Sequence, residues 1–479
     1  MNLKKELNHS QNDSVLSILK LAGSLAEDSD VEIYVVGGVV RDLIMGKQLN
    51  DIDLMTVGDG IQFARKLADA LGVKNIVPFK KFGTAMIPNK EIQIEVATAR
   101  TEKYEDDSRK PSEVVYTDLK GDLLRRDFTI NAMAMDILPK SFGEITDPFG
   151  GIADIEKKIL RTPLDPDETF SEDPLRMMRA AYFASKLEFD IENEFDIENE
   201  CRASMKRQAH RIDIVSWERI RDEFIKILKT KKPSVGLAIL QKTGLMETVF
   251  PEIHVMYGME QTSEWHHKDI FAHTLQVVDN AAELSNKMEI RFAALVHDIA
   301  KPNTRRIDKE KGYTFHGHDA IGERMLNKVA YRLKLSNYLK DYLKKLTLLH
   351  LRPIALIKDF VTDSAVRRLM VSAGDELDDL MILCRADITT KNPKRVKRYL
   401  KNFEKVEEKM SNVVERDAMK AFQSPVRGDE IMTICGLTEG RKVGELKEAI
   451  EEAILDGEIE NTFEAAKKYL MKIKDEILA

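Results

Sequence analysis

The sequence predicts an α+β protein in which a small mixed α/β head is followed by a long all-α body. Short β-branched patterns bounded by Gly, Pro, Asn or Asp are concentrated in the first 150 residues. From residue 151 onward the apolar residues recur at helical spacing almost to the C-terminus. With 43% hydrophobic and 32% charged residues among 479, the chain has the composition of a globular protein of several domains.

The head is predicted from four strand patterns, at 32–38, 51–56, 84–88 and 92–98, with helices at 12–27 and 61–71 between them. The helical part divides further, because residues 266–350 hold seven of the ten histidines. We therefore expect four domains, with the bounds 1–150, 151–250, 251–400 and 401–479.

Composition narrows the classes of function. A net charge of -7 argues against general, sequence-blind coating of nucleic acid, although a local basic face is compatible with it. Three scattered cysteines without a C-x-x-C pair fit a reducing, cytoplasmic location. The first residues lack a signal-peptide core and no run of 18 apolar residues occurs, so we expect no membrane association.

The segment "NDIDLM" places two acids on one predicted strand. Because side chains alternate along a strand, Asp51 and Asp53 share a face. Two adjacent carboxylates repel unless a cation lies between them, and Mg²⁺ prefers oxygen ligands. Glu95, on the strand pattern at 92–98, is a candidate third carboxylate. For Asp51 and Asp53 a polar strand end in water is the alternative, and for Glu95 a surface position.

A glycine pair precedes these acids. Gly37 and Gly38 follow a predicted strand, where a turn lets the backbone approach a ligand closely, and Arg41 comes next on a predicted helix. A glycine-rich turn, a helix and an acid pair within 20 residues favour a site for phosphate and metal.

Four ordered segments carry a family resemblance: "GGVVRDLIMGKQLNDIDLM", "DLLRRDFTINAMAMD", "DPFGGIADIEKKILRT" and "SEDPLRMMRAAYFA". They resemble the class II tRNA nucleotidyltransferase and bacterial poly(A) polymerase family over residues 30–230, and the chain is similar to CCA-adding enzymes. The resemblance implies a nucleotidyltransferase head, Mg²⁺ as cofactor, and the tRNA 3′ end, CTP and ATP as partners of a monomer or homodimer.

The resemblance also implies roles for particular residues. Asp51, Asp53 and Glu95 would be the catalytic, Mg²⁺-binding acids. The nucleotide would be bound by Gly37, Gly38, Arg41, Arg125, Arg126, Asp127, Asn131, Asp173, Arg176 and Arg179. Arginine forks suit triphosphate oxygens.

Asp173 and Arg176 offer a way to select bases. Three residues apart in a predicted helix, they would share one face. A carboxylate accepts from an exocyclic amine and a guanidinium donates to a ring acceptor. Cytosine and adenine present that pair of groups, whereas guanine and uracil present the reverse. The alternative is an ordinary intrahelical ion pair.

Two further segments resemble family elements. The polar stretch 100–122 is expected to be a mobile loop that switches the pocket between C and A, with Asp106, Asp107, Arg109 and Lys110 as plausible members. In "WERIRDEFIKIL", Arg221 and Glu223 are expected to support the nucleotide-binding helices.

A second constellation lies in the histidine-rich region. "VHDIAK" places an adjacent His and Asp on an apolar helix, where burial is costly without a partner. The ordered set resembles the HD domain, with His273, His297, Asp298, His318, His350 and Asp387 as ligands of a divalent transition metal. His316, His266 and His267 are weaker candidates. HD domains resemble metal-dependent phosphohydrolases, so a second, hydrolytic activity is expected. The alternative is an HD fold that is purely structural.

RNA contacts are expected in the segment 389–409. Lys394, Arg395, Lys397 and Arg398 belong to a basic helical face, for which a solvated surface is the alternative. Arg441 and Lys442 are the candidates in the tail.

For the whole chain, CCA addition is the leading hypothesis. A poly(A) polymerase, a partial CC- or A-adding enzyme, and an HD phosphohydrolase with a binding-only head stay open as alternatives.

Overall fold

The computed structural model describes residues 2–7, 12–49, 51–89, 92–105, 108–187, 196–260, 269–309, 312–357, 361–417 and 424–478. The chain divides into two compact units, Met1–His254 and Val255–Ala479. Four candidate residues lie outside the described part of the chain, namely His266, His267, Asp106 and Asp107.

The first unit contains a mixed seven-stranded sheet with the order β3-β4-β5-β2-β1-β8-β9. Its strands are β1 Glu32–Val36, β2 Asp51–Val57, β3 Val77–Phe79, β4 Thr84–Ile87, β5 Gln93–Thr98, β8 Ala134–Asp136 and β9 Ile145–Thr146. The four predicted strands therefore form the centre of this sheet. Two smaller sheets are the hairpin of β6 Arg100–Glu105 with β7 Ser108–Tyr116 and the short parallel pair of β10 Ile159–Leu160 with β11 Asp196–Ile197.

Thirteen helices complete the described part of the first unit. They are α1 Lys4–Leu7, α2 Asp13–Asp28, α3 Gly38–Ile44, α4 Gly60–Ala70, α5 Leu119–Leu124, α6 Gly151–Lys157, α7 Pro166–Glu172, α8 Leu175–Lys186, α9 Asn199–Gln208, α10 Trp217–Leu228, α11 Pro233–Lys242, α12 Leu245–Val249 and α13 Pro251–His254. The side chains of Val36, Met55, Ala99, Leu123 and Ala134 form a buried cluster on one face of the sheet. Burial of this face fixes the strand register, because a slip of one residue would expose it.

The segment 100–122 is not the loop expected from the sequence. It folds into the β6–β7 hairpin, with Arg100 opposite Tyr116 and Thr101 opposite Val115, and continues into α5. A two-stranded ribbon is held by backbone hydrogen bonds and can face water on a side, so it needs no clear apolar alternation. That is why pattern reading missed it.

The described part of the second unit consists of helices and one hairpin. Its helices are α14 Ile270–Leu284, α15 Met288–Val296, α16 Lys301–Thr304, α17 His318–Arg332, α18 Asn337–Leu349, α19 Arg352–Ala355, α20 Asp363–Ala373, α21 Leu377–Ala386, α22 Pro393–Asp417, α23 Gly428–Cys435, α24 Arg441–Leu455 and α25 Phe463–Leu478. The hairpin pairs β12 Arg306–Asp308 with β13 Gly312–Thr314. This hairpin and the β10–β11 pair both lie in the part of the chain for which the sequence predicted only helices.

The C-terminal helices pack around their own core. Its buried members are Val426, Ile431, Val443, Leu446, Ile450, Ala466 and Leu470. Both tail cations proposed for RNA have partners within the chain, since Arg441 binds Glu445 at 2.8 Å and Lys442 donates to the carbonyl of Ile477. No helix in the described part of the chain has the length and apolar composition needed to cross a bilayer.

Candidate active site and metal centre

The first site is a polar cavity of about 670 Å³ in the first unit. Strands, the β1–α3 turn and helices α8 and α10 contribute to it. Predicted residues that line it are Gly37, Gly38, Arg41, Asp51, Asp53, Arg125, Arg126, Asp127, Asn131, Asp173, Arg176 and Arg179. Twelve positions chosen for one chemistry thus converge on one cavity, although they lie up to 142 residues apart in sequence.

The three acids meet through strand register. β2 runs parallel to β5, and Asp53 lies opposite Glu95. Side chains of directly paired residues project to the same face of a sheet, and so do those of Asp51 and Asp53, two residues apart. Burial, followed by the charges of Asp51 and Glu95, raises the pKa of Asp53 to about 6. A hard divalent cation would relieve this repulsion, so the donor set fits Mg²⁺.

The shifted pKa of Asp53 makes a prediction about stability. The pKa of Asp53 is higher in the folded protein than the value of 3.8 for the unfolded chain, so ionisation of Asp53 lowers the free energy of unfolding. This destabilisation is absent below pH 3.8 and complete above about pH 6. We expect Asp53→Asn to raise the free energy of unfolding of the metal-free protein by ~3 kcal/mol at pH 8 and by roughly half as much at pH 5. Urea unfolding in EDTA at both pH values measures it. Asp51→Asn, at an exposed position, is the control and should change stability less.

The glycine turn is shaped by a close approach. Gly37 has φ of 70°, in the left-handed region, and a Cβ placed on it would lie 2.7 Å from Nη1 of Arg126. A side chain here would be strained and would displace that guanidinium. The turn therefore holds Arg126 against the backbone beside the acid cluster.

A buried polar network lines the cavity wall. Arg41 donates to the side-chain oxygen of Asn131 at 2.6 Å, and Asn131 donates to Asp127 at 3.0 Å. Arg179 donates to the other carboxylate oxygen of Asp127 at 2.7 Å. Burial alone would raise the pKa of Asp127, but Arg179 and Asn131 outweigh it and hold that pKa below its usual range. The network keeps two arginines fixed and charged at the wall.

Asp122 is a site residue that the sequence reasoning missed. Its fully buried carboxylate accepts from Arg125 at 2.6 Å and from Arg126 at 2.9 Å. Burial opposes its charge, yet Arg126 and Arg125 hold the pKa of Asp122 below its usual range. Its position three and four residues before two adjacent arginines was the available signal. Asp122 aligns both guanidinium groups toward the cavity.

We expect Asp122→Asn to weaken triphosphate binding and folding together. Loss of the charge leaves two arginines without their buried partner, which should cost about 3 kcal/mol of unfolding free energy. Without that alignment, KM for the nucleotide should rise about tenfold. Steady-state kinetics and urea unfolding test this. Asp118→Asn, which keeps the cap at the start of the same helix, is the control; an unchanged KM in Asp122→Asn would refute the role.

The structure corrects the expectation that Asp173 and Arg176 lie on one helix. Asp173 ends α7 in an extended conformation with φ of −136°, and Arg176 belongs to α8. Pro174 is the cause, since a residue before proline is driven out of the α region. Arg176 forms its ion pair with Glu172 at 3.0 Å, so the alternative interpretation, an intrahelical ion pair with Asp173, is absent among the described ion pairs.

Both residues are nevertheless held at the cavity. Arg176 uses Nη1 for Glu172 and the carbonyl of Thr169, and Nη2 for the carbonyl of Arg125. No described residue accepts from its Nε. Asp173 accepts from Arg219 at 2.9 Å and from the backbone of Leu175. One guanidinium edge and the remaining carboxylate lone pairs thus stay available to a ligand.

Helix α10 contacts the site through Arg219, which the sequence analysis did not name, and through Glu223, which it did. Arg219 reaches Asp173, whereas Arg221 pairs with its neighbour Asp222 at 2.8 Å. Glu223 is buried and lies 3.9 Å from Arg179, as support of the nucleotide-binding helices required. Arg219 lies near Asp173 only in three dimensions, since 46 residues separate them. Spacing in the sequence could not have found it.

The second site is a cluster of imidazoles and carboxylates in the second unit. Nε2 of His273 lies 3.1 Å from Asp387 and 3.5 Å from Asp298. On the other side of Asp298, Nε2 of His318 is at 3.2 Å and that of His350 at 3.9 Å. His297 contacts Asp298 at 3.1 Å. All six predicted ligands are brought together, while His316 is exposed to solvent.

The imidazoles are oriented by backbone carbonyls. Nδ1 of His297, His318 and His350 lies 2.8, 2.7 and 2.6 Å from the carbonyls of the residues three positions earlier. A carbonyl only accepts, so each Nδ1 donates and each neutral ring has its Nε2 lone pair at the centre of the cluster. These backbone bonds fix the tautomers that a metal requires.

Those lone pairs need a cation. Nε2 of His318 and Nε2 of His350 are 3.2 Å apart, and two neutral acceptors cannot hydrogen-bond each other. Nε2 of His297 is buried without a described hydrogen-bond partner. Mixed imidazole and carboxylate donors suit divalent transition metals, so the residues fit such an ion.

The donors fall into two overlapping groups. His273, His297 and Asp298 form one, and Asp298, His318 and His350 the other, each with its ligand atoms within 4.8 Å of one another. Burial opposes protonation of His297, yet Asp298 and Asp387 raise its pKa to about 10. Burial, with the charge of His297, lowers the pKa of His350 to about 4. The protonated imidazole of His297 therefore supplies the positive charge that a bound metal would otherwise supply.

Three family models match the chain. They are described as the poly A polymerase head domain at residues 33–161, a probable RNA- and SrmB-binding site of polymerase A at 194–256, and the HD domain at 270–392. The chain is 32% identical over 370 residues to a multifunctional CCA protein of Vibrio campbellii, covering 74% of this chain and 85% of that protein. An A-adding tRNA nucleotidyltransferase of Deinococcus radiodurans is 29% identical over 450 residues, covering 92% and 95%.

The fold is also that of a solved structure. The CCA-adding enzyme of Bacillus stearothermophilus in complex with CTP superposes with a TM-score of 0.66 at 24% identity, covering 98% of both chains. The chain belongs to the family of tRNA nucleotidyltransferases and bacterial poly(A) polymerases, and it is a nucleotidyltransferase with an HD domain. The predicted family and fold class are confirmed.

Proposed function

We propose that the chain adds CCA to the 3′ end of tRNA, with CTP and ATP as donors and without a nucleic-acid template. The observation that carries this proposal is the convergence of Asp51 and Asp53, the fixed arginines, Asp173 and Arg176 on one cavity. The named relatives, which are CCA-adding and A-adding enzymes, support it.

The transfer joins the RNA 3′ oxygen to the α-phosphorus of the nucleotide. A P–O ester bond forms, the bond to the β-phosphate oxygen breaks, pyrophosphate leaves and the hydroxyl proton is released. Asp51, Asp53 and Glu95 would hold Mg²⁺, which supplies charge neutralisation for the nucleophile and the leaving group. Arg125 and Arg126 bind the triphosphate, and the network around Asp127 keeps the cavity wall rigid.

Base selection is assigned to Asp173 and Arg176. The carboxylate accepts from the exocyclic amine of cytosine or adenine, and the free guanidinium edge donates to the adjacent ring nitrogen. Guanine and uracil present a donor where the arginine must donate, and they leave a buried polar group unpaired.

Arg176→Ala is therefore expected to reduce discrimination against UTP and GTP by about 10²-fold or more, a cost of roughly 3 kcal/mol in selectivity. Because triphosphate contacts belong to other arginines, KM for CTP should change less than that. Incorporation of each nucleotide, measured separately, gives both values. Arg221→Ala, on the neighbouring helix, is the control, and unchanged preference for C and A in Arg176→Ala would refute the role.

Adenosine addition alone is the second candidate function. The specific observation favouring it is the A-adding relative from Deinococcus radiodurans, which matches 92% of this chain. One experiment separates the candidates: incubation with tRNA lacking its CCA, or ending in CC, with one labelled nucleotide at a time. Addition of three nucleotides supports CCA synthesis, and addition only to CC-ended tRNA supports the A-adding enzyme. A long A tail would identify a poly(A) polymerase.

We further propose that the HD cluster is a metal-dependent phosphohydrolase acting on RNA ends such as 2′,3′-cyclic phosphates. Water adds to phosphorus, one ribose–oxygen bond to phosphorus breaks, and the proton goes to the departing ribose oxygen, leaving a phosphomonoester. Where the bond to O3′ is the one that breaks, the 3′ hydroxyl needed for nucleotide addition by the head is freed, and the phosphate stays on O2′. The three cysteines, all free, support a cytoplasmic location for both reactions.

A further inference from the structure

Helix α22 begins with a positively charged surface that nothing in the described chain neutralises. Seven cationic side chains occur between positions 391 and 405, with Glu404 as the only acid. All seven are exposed, and none forms an ion pair with a described residue. They are Lys391, Lys394, Arg395, Lys397, Arg398, Lys401 and Lys405. The tail cation Arg441, by contrast, is paired with Glu445.

The opposite side of α22 fixes its orientation. Phe403, Val406 and Met410 are buried, and Glu407 binds Arg385 of α21 at 2.5 Å. The cationic side chains are therefore held toward solvent rather than free to turn inward. Lys394, Arg398, Lys401 and Lys405 recur at helical spacing and form what we call the basic stripe, about 16 Å long.

The basic stripe starts beside the HD cluster. Asp387, a predicted ligand, ends α21, and Thr389 lies 3.1 Å from Nδ1 of His273. Asn392 then caps α22 by accepting from the backbone of Lys394 at 3.0 Å. Lys394 is seven residues after Asp387. Seven residues span at most about 25 Å, so the stripe begins within about that distance of the cluster.

Asp387 is the most exposed member of the cluster. The Asp387 side chain is 27% exposed, whereas those of the five other members are 9% exposed or less. A substrate that reaches the cluster from solvent therefore meets Asp387 first. Asp387, the accessible residue of the cluster, lies at the end of α21, and the basic stripe lies on the next helix, α22.

We propose that the basic stripe binds the single-stranded 3′ end of RNA and delivers its terminal phosphate to the HD cluster. The stripe thus serves the hydrolytic site, and RNA is chosen as the occupant because a row of unpaired cations complements a phosphate backbone. This inference rests on the proposed phosphohydrolase function of the HD cluster.

The test measures hydrolysis by the full chain of two substrates with a 2′,3′-cyclic phosphate: a mononucleotide and an RNA of about eight nucleotides, within the range of single-strand site sizes. The variant carries Lys394→Glu, Arg398→Glu and Lys401→Glu. A matched control carries Lys467→Glu, Lys468→Glu and Lys472→Glu, exposed lysines of α25.

In the wild type, kcat/KM should be higher for the RNA than for the mononucleotide. The variant should lower the ratio of the two values about tenfold or more, and it should flatten the salt dependence of RNA binding by about two ion equivalents. The control should keep the wild-type ratio. Mononucleotide hydrolysis shows whether the HD site of each variant is folded and active.

Different failures have different meanings. No hydrolysis of the mononucleotide by the wild type, with divalent metals varied, overturns the HD function itself. Hydrolysis with the same ratio in the variant overturns only the inference. An equal loss of nucleotide addition by the head would assign the stripe to general tRNA binding and also overturn it. The inference would also be overturned if the wild type bound phosphatidylserine vesicles, the variant did not, and neither preferred the RNA to the mononucleotide.

Discussion

Substitution of Asp53 by alanine is expected to lower nucleotide addition at least about 10³-fold, equivalent to about 4 kcal/mol of transition-state stabilisation. Asp53 lies between Asp51 on its own strand and Glu95 on the next, so its loss breaks up the three-carboxylate group, of which Asp51 and Asp53 line the cavity. Binding of tRNA should be largely retained, because RNA contacts the protein mainly through its phosphates. Single-turnover addition and a filter-binding assay measure the two quantities.

A matched control distinguishes catalysis from folding. Asp59 follows the same strand and caps α4, and asparagine caps a helix equally well. Asp59→Asn should therefore add nucleotides like the wild type. If Asp53→Ala lost tRNA binding and addition to the same degree, the residue would be structural. Asp51→Ala should reproduce the catalytic loss, since it contributes to the same cation site.

Asp298→Asn is expected to abolish hydrolysis at the HD cluster and to reduce bound transition metal to a background level. This carboxylate belongs to both donor groups and also contacts Lys301 at 2.6 Å. Asparagine keeps its size but removes the charge that holds the ion. Nucleotide addition by the head should persist. Elemental analysis of the purified chain and hydrolysis of a cyclic-phosphate mononucleotide measure the effect.

His316→Ala provides the comparison for that variant. His316 lies two residues before His318 but is exposed, so its removal should change neither metal content nor hydrolysis. Wild-type metal content in Asp298→Asn would contradict the ligand assignment. Loss of both activities in Asp298→Asn would instead indicate that the substitution unfolds the chain.

Local pattern was sufficient for much of the head. Strand alternation placed Asp51 and Asp53 on one face, and the strand pattern at 92–98 marked Glu95. The hairpin at 100–116 was missed because a two-stranded ribbon can form without a clear apolar alternation. The helical reading of Asp173 was wrong for a reason already in the sequence, since Pro174 follows it.

The sequence by itself determined the fold class, the family and the candidate ligands of both sites, because these depend on short-range periodicity and on the order of residue types. Only the tertiary structure decided which groups meet. The β2–β5 register brings Glu95 to Asp53, Arg219 reaches Asp173 across 46 residues, and Asp387 joins histidines from four other helices or their ends. Such contacts arise from packing of distant elements, and no local spacing encodes them.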